Sequence, residues 1–152
     1  MMNRKMIDFL IEAKRATYAG KGPEIVSSRP MSHDLEYIDG RLRYLDTYLG
    51  GNKFAGQEGV WLDGKPIWAM NYAGRVLAEE FNGDFLKEAL WHVPHESPYR
   101  GPKLYIRDAY TYQCSVQGSK EWFCGSEEIF CRKTKVYECL FHGGAIESEE
   151  TL

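Results

Sequence analysis

The sequence lacks several features that would point to particular classes of protein. No apolar run is long enough to span a membrane, and Asp8 and Glu12 interrupt the N-terminal apolar stretch, which therefore does not resemble a signal peptide. No basic block is present, and a net charge of −3 does not favour binding to nucleic acid. We therefore expect a soluble, cytoplasmic protein that binds no membrane and makes no direct contact with nucleic acid.

Cysteine is scarce, and its spacing does not fit the usual metal-binding patterns. The sequence contains Cys114, Cys124, Cys131 and Cys139, and no two of them form a C-x-x-C pair. Structural zinc sites need close pairs of Cys or His, and a cytoplasmic chain keeps its thiols reduced. We predict free thiols in or near the core, no bound metal and no cofactor.

Aromatic residues are plentiful, and at 14% of the chain they argue against disorder. Apolar residues at helical spacing predict one helix over 2–16 and a second over 84–93. The pairs Asp39-Gly40 and Asp63-Gly64 predict hairpins, and further alternating segments bring the total to about eight strands. Runs of strands with few helices indicate an α+β fold, and the length suits a single domain over 1–152.

The two halves of the sequence resemble each other. When Phe54 is placed on Phe123, Glu58 falls on Glu127, and the helical segments 8–13 and 84–89 match in the same order. Strand alternation alone would not align glutamates and glycines, so we predict pseudo-repeated units over about 8–74 and 84–143. Each unit would contribute one helix and two hairpins to a curved antiparallel sheet of about eight strands, with two helices on one face.

The hairpin register predicts a sheet that is apolar on both faces. A two-residue turn at Asp63-Gly64 places Val60 opposite Ile67, which separates Val60 from the aromatic residues of the same hairpin. Because two helices cover only one side, the aromatic face fills a closed or half-closed barrel, lines a ligand pocket or forms a homodimer interface. The residues predicted on this face are Trp61, Trp68, Tyr72, Phe130, Tyr137 and Phe141.

The predicted pocket would accept a small apolar or aromatic ligand, with Arg100 or His142 near its mouth to orient that ligand. Glu58 and Glu127 would form a carboxylate pair if the repeat brings them together, and such a pair could perform acid–base chemistry or bind a cation. A small hydrolase or isomerase that uses Glu58, Glu127 or His142 is therefore the alternative to a binding module. A third interpretation is an interaction protein that forms a homodimer through the aromatic face.

Several segments together resemble one bacterial family of unknown function. These segments are SSRPMSHDLEY, DTYLGGNKFAGQE, GDFLKEAL, PYRGP and the patterns VW-x-DGKPIW and WF-x-G-x-EEI. Members of that family occur alone or behind a helix-turn-helix DNA-binding domain, and the resemblance implies no catalytic residue. The fusion implies a sensory role, so we expect a small-molecule-binding or regulatory module rather than an enzyme.

Overall fold

The structure is a computed structural model that describes residues 2–147, so both ends of the predicted domain lie outside it. The described residues form two helices and eight strands: α1 (Arg4–Ala16), β1 (His33–Asp39), β2 (Leu42–Gly50), β3 (Lys53–Leu62), β4 (Lys65–Val76), α2 (Gly83–Trp91), β5 (Leu104–Arg107), β6 (Tyr110–Ser119), β7 (Trp122–Cys131) and β8 (Thr134–Ala145). The strands form one antiparallel sheet in the order β1-β2-β3-β4-β8-β7-β6-β5. The α+β fold is confirmed, and because β1 and β5 remain as edges the sheet is not a closed barrel.

Each helix is capped by an asparagine that directly precedes its first residue. The Asn3 side-chain oxygen accepts a hydrogen bond from the Met6 amide at 3.0 Å, and the Asn82 oxygen accepts one from the Phe85 amide at 3.2 Å. Caps of this kind satisfy amide groups that have no partner within the first helical turn. The caps therefore explain why both helices begin where they do.

Both helices cover the same face of the sheet, as predicted. Phe9 and Leu10 of α1 and Phe85 and Leu86 of α2 belong to one buried cluster with inward-facing strand residues. The buried strand residues of that cluster are Tyr44, Val60, Trp68, Met70, Tyr72, Tyr112, Phe123, Ile129, Val136, Tyr137, Cys139 and Phe141. Burial of so many large rings supplies much of the apolar area that stabilises the domain.

The two halves of the chain follow the same order of one helix and four strands, and β4 pairs with β8 at the centre of the sheet. Phe54 pairs with Gly74 in the first half, and Phe123 pairs with Gly143 in the second. A duplication would give the two halves of the chain the same strand register at these positions. The duplication itself stays a prediction.

The register predicted for the hairpin of β3 and β4 is wrong beyond its first pairs. Trp61 faces Pro66 as predicted, but Val60 faces Trp68 rather than Ile67, because the register shifts between Val60 and Trp61. A β-bulge inserts one extra residue into one strand, and a shift of one residue moves every following side chain to the opposite face. Val60 therefore shares the helix-covered face with the aromatic residues from which the prediction had separated it.

The hairpin of β7 and β8 shifts its register at the equivalent place, between Ile129 and Phe130. The six aromatic residues predicted on one face are consequently divided. The helix-covered face holds four buried members of the set: Trp68, Tyr72, Tyr137 and Phe141. Trp61 and Phe130 point to the outer face and are half-buried, with the Trp61 ring lying across Gly59.

The outer face is largely polar at its centre, so the prediction of two apolar faces is wrong. Gln57 donates a 2.8 Å hydrogen bond to Asn71, and Arg75 forms an ion pair with Glu138. An antiparallel sheet with one core face and one solvated face is the common arrangement. Exposed apolar side chains do occur on the outer face, chiefly Trp122 and Leu140, and the homodimer stays a prediction.

Candidate functional site

In the part of the chain that the structure describes, five charged side chains lie buried on the helix-covered side of the sheet: Lys14, Asp46, Glu58, Arg100 and Glu127. A sixth buried charge, Asp34, lies at the sheet edge, where it accepts hydrogen bonds from Ser32 and Thr47. Removing a charge from water is costly unless the charge is paired and hydrogen-bonded. A concentration of buried charges therefore marks this region as the candidate functional site.

Lys14 and Glu58 form the first ion pair of the site. The Lys14 ammonium group contacts the two Glu58 carboxylate oxygens at 2.8 and 3.0 Å, and it also donates to the Tyr99 carbonyl at 2.6 Å. The Tyr44 hydroxyl donates to the same carboxylate. Burial lowers the pKa of Lys14, although Glu58 opposes this effect, and burial together with Glu58 raises the pKa of Tyr44.

Arg100 and Glu127 form the second ion pair. The Arg100 Nε atom donates to Glu127 at 2.7 Å, and the hydroxyl groups of Tyr112 and Tyr137 donate to the same carboxylate. Burial acts to lower the pKa of Arg100, but the combined effects of Glu127, Tyr137 and Cys139 hold that pKa well above its ordinary value. Both ion pairs therefore combine a strand glutamate, a cation from outside the sheet and tyrosine hydroxyl groups.

Glu58 and Glu127 do not form the carboxylate pair that acid–base chemistry would require. Within residues 2–147, each glutamate has its own cation and its own tyrosine, and no cation or hydroxyl group bridges the two. A catalytic pair would need one shared proton or a common reacting group. The contacts instead give each glutamate the partners that a stable buried ion pair needs.

Asp46 differs from the two glutamates because no cation pairs with it among the described residues. It lies on β2 between the inward-facing Tyr44 and Tyr48, and the Tyr72 hydroxyl donates a 2.5 Å hydrogen bond to its Oδ1 atom. Burial and the nearby Glu58 carboxylate raise the pKa of Asp46 to about 7. Asp46 can therefore bind or release a proton near neutral pH.

A cavity of about 50 Å³ opens beside Asp46. Aromatic and charged side chains form its wall, among them Tyr18, Asp46, Tyr48, Phe54, Tyr72 and Arg100. The space exceeds what one water molecule requires, and it is smaller than the pockets that enclose drug-sized ligands. The cavity is therefore suited to a small molecule or to one end of a longer one.

A broader groove of about 820 Å³ runs along the start of α1. Its wall contains exposed charges of both signs, such as Lys5 and Glu12, beside the buried Trp68. Trp68 Nε1 is the one buried side-chain nitrogen or oxygen within residues 2–147 that has no hydrogen-bond partner. The groove is far larger than the cavity beside Asp46, where the buried charged side chains of the site converge on a small space.

The structure brings together three of the ten residues predicted for the site, since the cavity wall contains Glu58, Tyr72 and Arg100. Four others lie in the adjacent core without lining the cavity: Trp68, Glu127, Tyr137 and Phe141. The remaining three lie on the outer face: Trp61, Phe130 and His142. His142 is exposed there, opposite the inward-facing Phe141, so it cannot stand at the mouth of this cavity.

Sequence reasoning missed Lys14, Asp46 and most of the tyrosine residues of the site. A detectable signal existed for the two charged residues. Lys14 occupies a position on the apolar face of α1, one turn beyond Leu10. Asp46 occupies an inward-facing position of β2, between two tyrosines. A charge at a core position is the pattern that would have identified both residues.

Within residues 2–147, no helix has the length and apolar character required to cross a membrane. No group of three or more His, Cys, Asp or Glu side chains in that range could hold a metal ion. All four cysteines are unpaired; Cys139 is buried, but Cys124 is exposed, so its predicted position in or near the core is wrong.

The fold and the site define an α+β domain with a small cavity among buried ion pairs. Residues 46–146 match the family described as Domain of unknown function (DUF5680), and because this range exceeds half of the chain, the protein belongs to that family. The matched range contains Asp46, Glu58, Arg100 and Glu127, whereas Lys14 lies before it. No curated protein and no solved structure matches the chain.

Proposed function

We propose that the domain binds a small molecule in the cavity beside Asp46. The observation that carries this proposal is a buried carboxylate that faces a cavity while the neighbouring carboxylates are already paired. A buried charge without an oppositely charged partner lowers the stability of a fold. The position of such a carboxylate beside a cavity therefore favours a functional role over a structural one. Ligand sites characteristically combine apolar walls with a few convergent polar groups.

The aromatic wall supports the same proposal. The aromatic residues Tyr18, Tyr48, Phe54 and Tyr72 line the cavity together with the charged residues Asp46 and Arg100. Rings can pack against the apolar part of a ligand while the polar atoms fix its orientation. The ligand expected from this wall is small and carries a polar group, which narrows the prediction from the sequence of a small apolar or aromatic ligand.

A regulatory role would follow if binding alters how the domain contacts a partner. The family resemblance noted from the sequence includes proteins in which such a domain follows a helix-turn-helix module. An effector-binding role is consistent with a cavity and with the absence of a shared carboxylate pair among the described residues.

A thermal-shift screen with metabolites tests the proposal, because a molecule that binds only the folded state raises the unfolding temperature. The screen compares the unmodified protein with Ala19→Leu, which enlarges a buried side chain on the cavity wall, and with His142→Ala on the outer face. We expect ligands that stabilise the unmodified protein and His142→Ala but not Ala19→Leu. Equal stabilisation of Ala19→Leu, or no stabilising molecule in a broad screen, would contradict the proposal.

A further inference from the structure

We infer that the cavity binds the ammonium group of a small organic amine, with Asp46 as its counter-ion. This inference rests on the proposed function and specifies the chemical class of the ligand. Its first support is the balance of buried charge. Lys14 pairs with Glu58 and Arg100 pairs with Glu127, which leaves the Asp46 carboxylate as one unmatched negative charge among the five charged groups of the site.

The geometry of Asp46 provides the second support. Its Oδ1 atom accepts the hydrogen bond from Tyr72, but within residues 2–147 no donor reaches Oδ2, and that atom is not sealed from solvent. Asp46 as a whole is 5% exposed, so the cavity is the direction from which a donor can approach. An ammonium group supplies both the missing positive charge and a hydrogen-bond donor.

The aromatic residues provide the third support. Six of the residues that line the cavity are aromatic, and the faces of aromatic rings attract cations. Arg100 already lies over the Tyr72 ring at 5.5 Å, and Lys14 lies 5.9 Å from the centre of the Trp68 ring. These two cations face the cavity too, but Glu127 and Glu58 compensate their charges, so the net charge of the site still favours a cation.

The size of the cavity limits what can enter it. A volume of about 50 Å³ accommodates a primary ammonium group with one or two carbon atoms rather than a whole metabolite. The remainder of a longer amine would extend towards the open side of the cavity. Recognition therefore concerns the amino end of the ligand, and the chemistry of the other end is determined by the surface around the mouth.

The test measures binding of three molecules of equal length by NMR titration at about pH 8, where Asp46 is ionised. The molecules are butylammonium, 1-butanol and butyrate, which carry a positive, a neutral and a negative end. We expect butylammonium to bind at least about tenfold more tightly than 1-butanol, and butyrate to bind most weakly. The variant Asp46→Asn keeps an acceptor for Tyr72 and should lose this preference, whereas Asp63→Asn at an exposed turn should retain it.

Two results would overturn the inference while leaving the proposed function intact. In the first, 1-butanol or butyrate binds as tightly as butylammonium or more tightly, and Ala19→Leu abolishes this binding. The other is an unchanged preference for butylammonium in a folded Asp46→Asn variant, which would place the amine elsewhere. If none of the three molecules binds, the ammonium inference is rejected, and the metabolite screen with Ala19→Leu decides separately whether the cavity binds anything.

Discussion

The Tyr72 hydroxyl donates a 2.5 Å hydrogen bond to Asp46, and this bond joins the two strands that flank β3. It opposes the effect of burial, because it stabilises the ionised carboxylate, yet burial and Glu58 still raise the pKa of Asp46 to about 7. The same burial and the adjacent carboxylate raise the pKa of Tyr72. The hydroxyl therefore remains the donor and Asp46 remains the group that titrates.

The raised pKa of Asp46 predicts a pH dependence of stability. Below about pH 4, Asp46 is protonated in both the folded and the unfolded chain. Between about pH 4 and the folded pKa of about 7, the unfolded chain releases a proton that the folded chain keeps, so the free energy of unfolding falls as pH rises. Asp46 should lower the free energy of unfolding by about 4 kcal/mol in total, and above the folded pKa its contribution no longer changes with pH.

Urea unfolding of the unmodified protein and of Asp46→Asn at about pH 5 and about pH 8 measures this contribution. Asp46→Asn cannot ionise at this position, so it should lose less stability across the range. Asp63→Asn serves as the control because Asp63 is exposed and paired with Arg41. Identical pH dependence in the unmodified protein and Asp46→Asn would show that Asp46 ionises in the fold as freely as in the unfolded chain.

The ion pair of Lys14 and Glu58 should be energetically coupled. Lys14→Met leaves the Glu58 carboxylate buried without its cation, and removal of one partner of a buried pair costs about 3–5 kcal/mol. Lys14→Met combined with Glu58→Gln removes both charges, so the double variant should be more stable than the sum of the single effects predicts, by about 1–3 kcal/mol. Denaturant unfolding of the four proteins in this cycle provides the measurement.

The half-exposed pair of Lys135 and Glu138 is the control for that cycle. Its side chains are 37% and 32% exposed, and pairs of this kind contribute about 0–1 kcal/mol. Lys135→Met should therefore change the free energy of unfolding by less than about 1 kcal/mol. Additive effects of Lys14→Met and Glu58→Gln would contradict the close contact between these two residues.

Trp68 should behave as a core residue rather than as a ligand contact. Its side chain is 1% exposed and packs against Phe123 without lining the cavity beside Asp46. Trp68→Ala should therefore cost about 3–5 kcal/mol of stability. Trp122 on the outer face is 81% exposed, so Trp122→Ala should change stability by less than about 0.5 kcal/mol.

Thermal or urea unfolding of both tryptophan variants distinguishes the two roles. A small loss in Trp68→Ala, comparable to that of Trp122→Ala, would mean that Trp68 is not part of the packed core. Such a result would return Trp68 to the ligand-contact role that the sequence predicted.

The turn residues allowed the hairpin positions to be predicted from the sequence. Asp63 and Gly64 both have positive φ angles, 51° and 81°, which is the geometry that an Asp-Gly pair favours in a tight hairpin turn. The register beyond that turn was not predictable in the same way. The shift between Val60 and Trp61 lies beside Pro66, a residue that strands accept mainly at edges and bulges. Pro66 marks the region but does not specify the new register, which changes the side chains that face the helices.

The candidate site depended on contacts that no local pattern specifies. Lys14 reaches Glu58 from a helix that precedes it by 44 positions, and Arg100 reaches Glu127 from a loop 27 positions away. Periodicity could indicate that Lys14 and Asp46 occupy buried positions, but it could not indicate which charges would pair. The unpaired state of Asp46 follows only from the arrangement of all five groups.

NMR titration of the Asp46 carboxyl carbon reports the charge of a cavity-facing carboxylate that has no paired cation within residues 2–147. We expect a midpoint near the pKa of about 7 in the free protein and a lower midpoint when butylammonium saturates the site, because a bound cation stabilises the ionised carboxylate. A midpoint at the ordinary value for aspartate, or one that butylammonium leaves unchanged, would show that Asp46 is not the counter-ion of a bound amine.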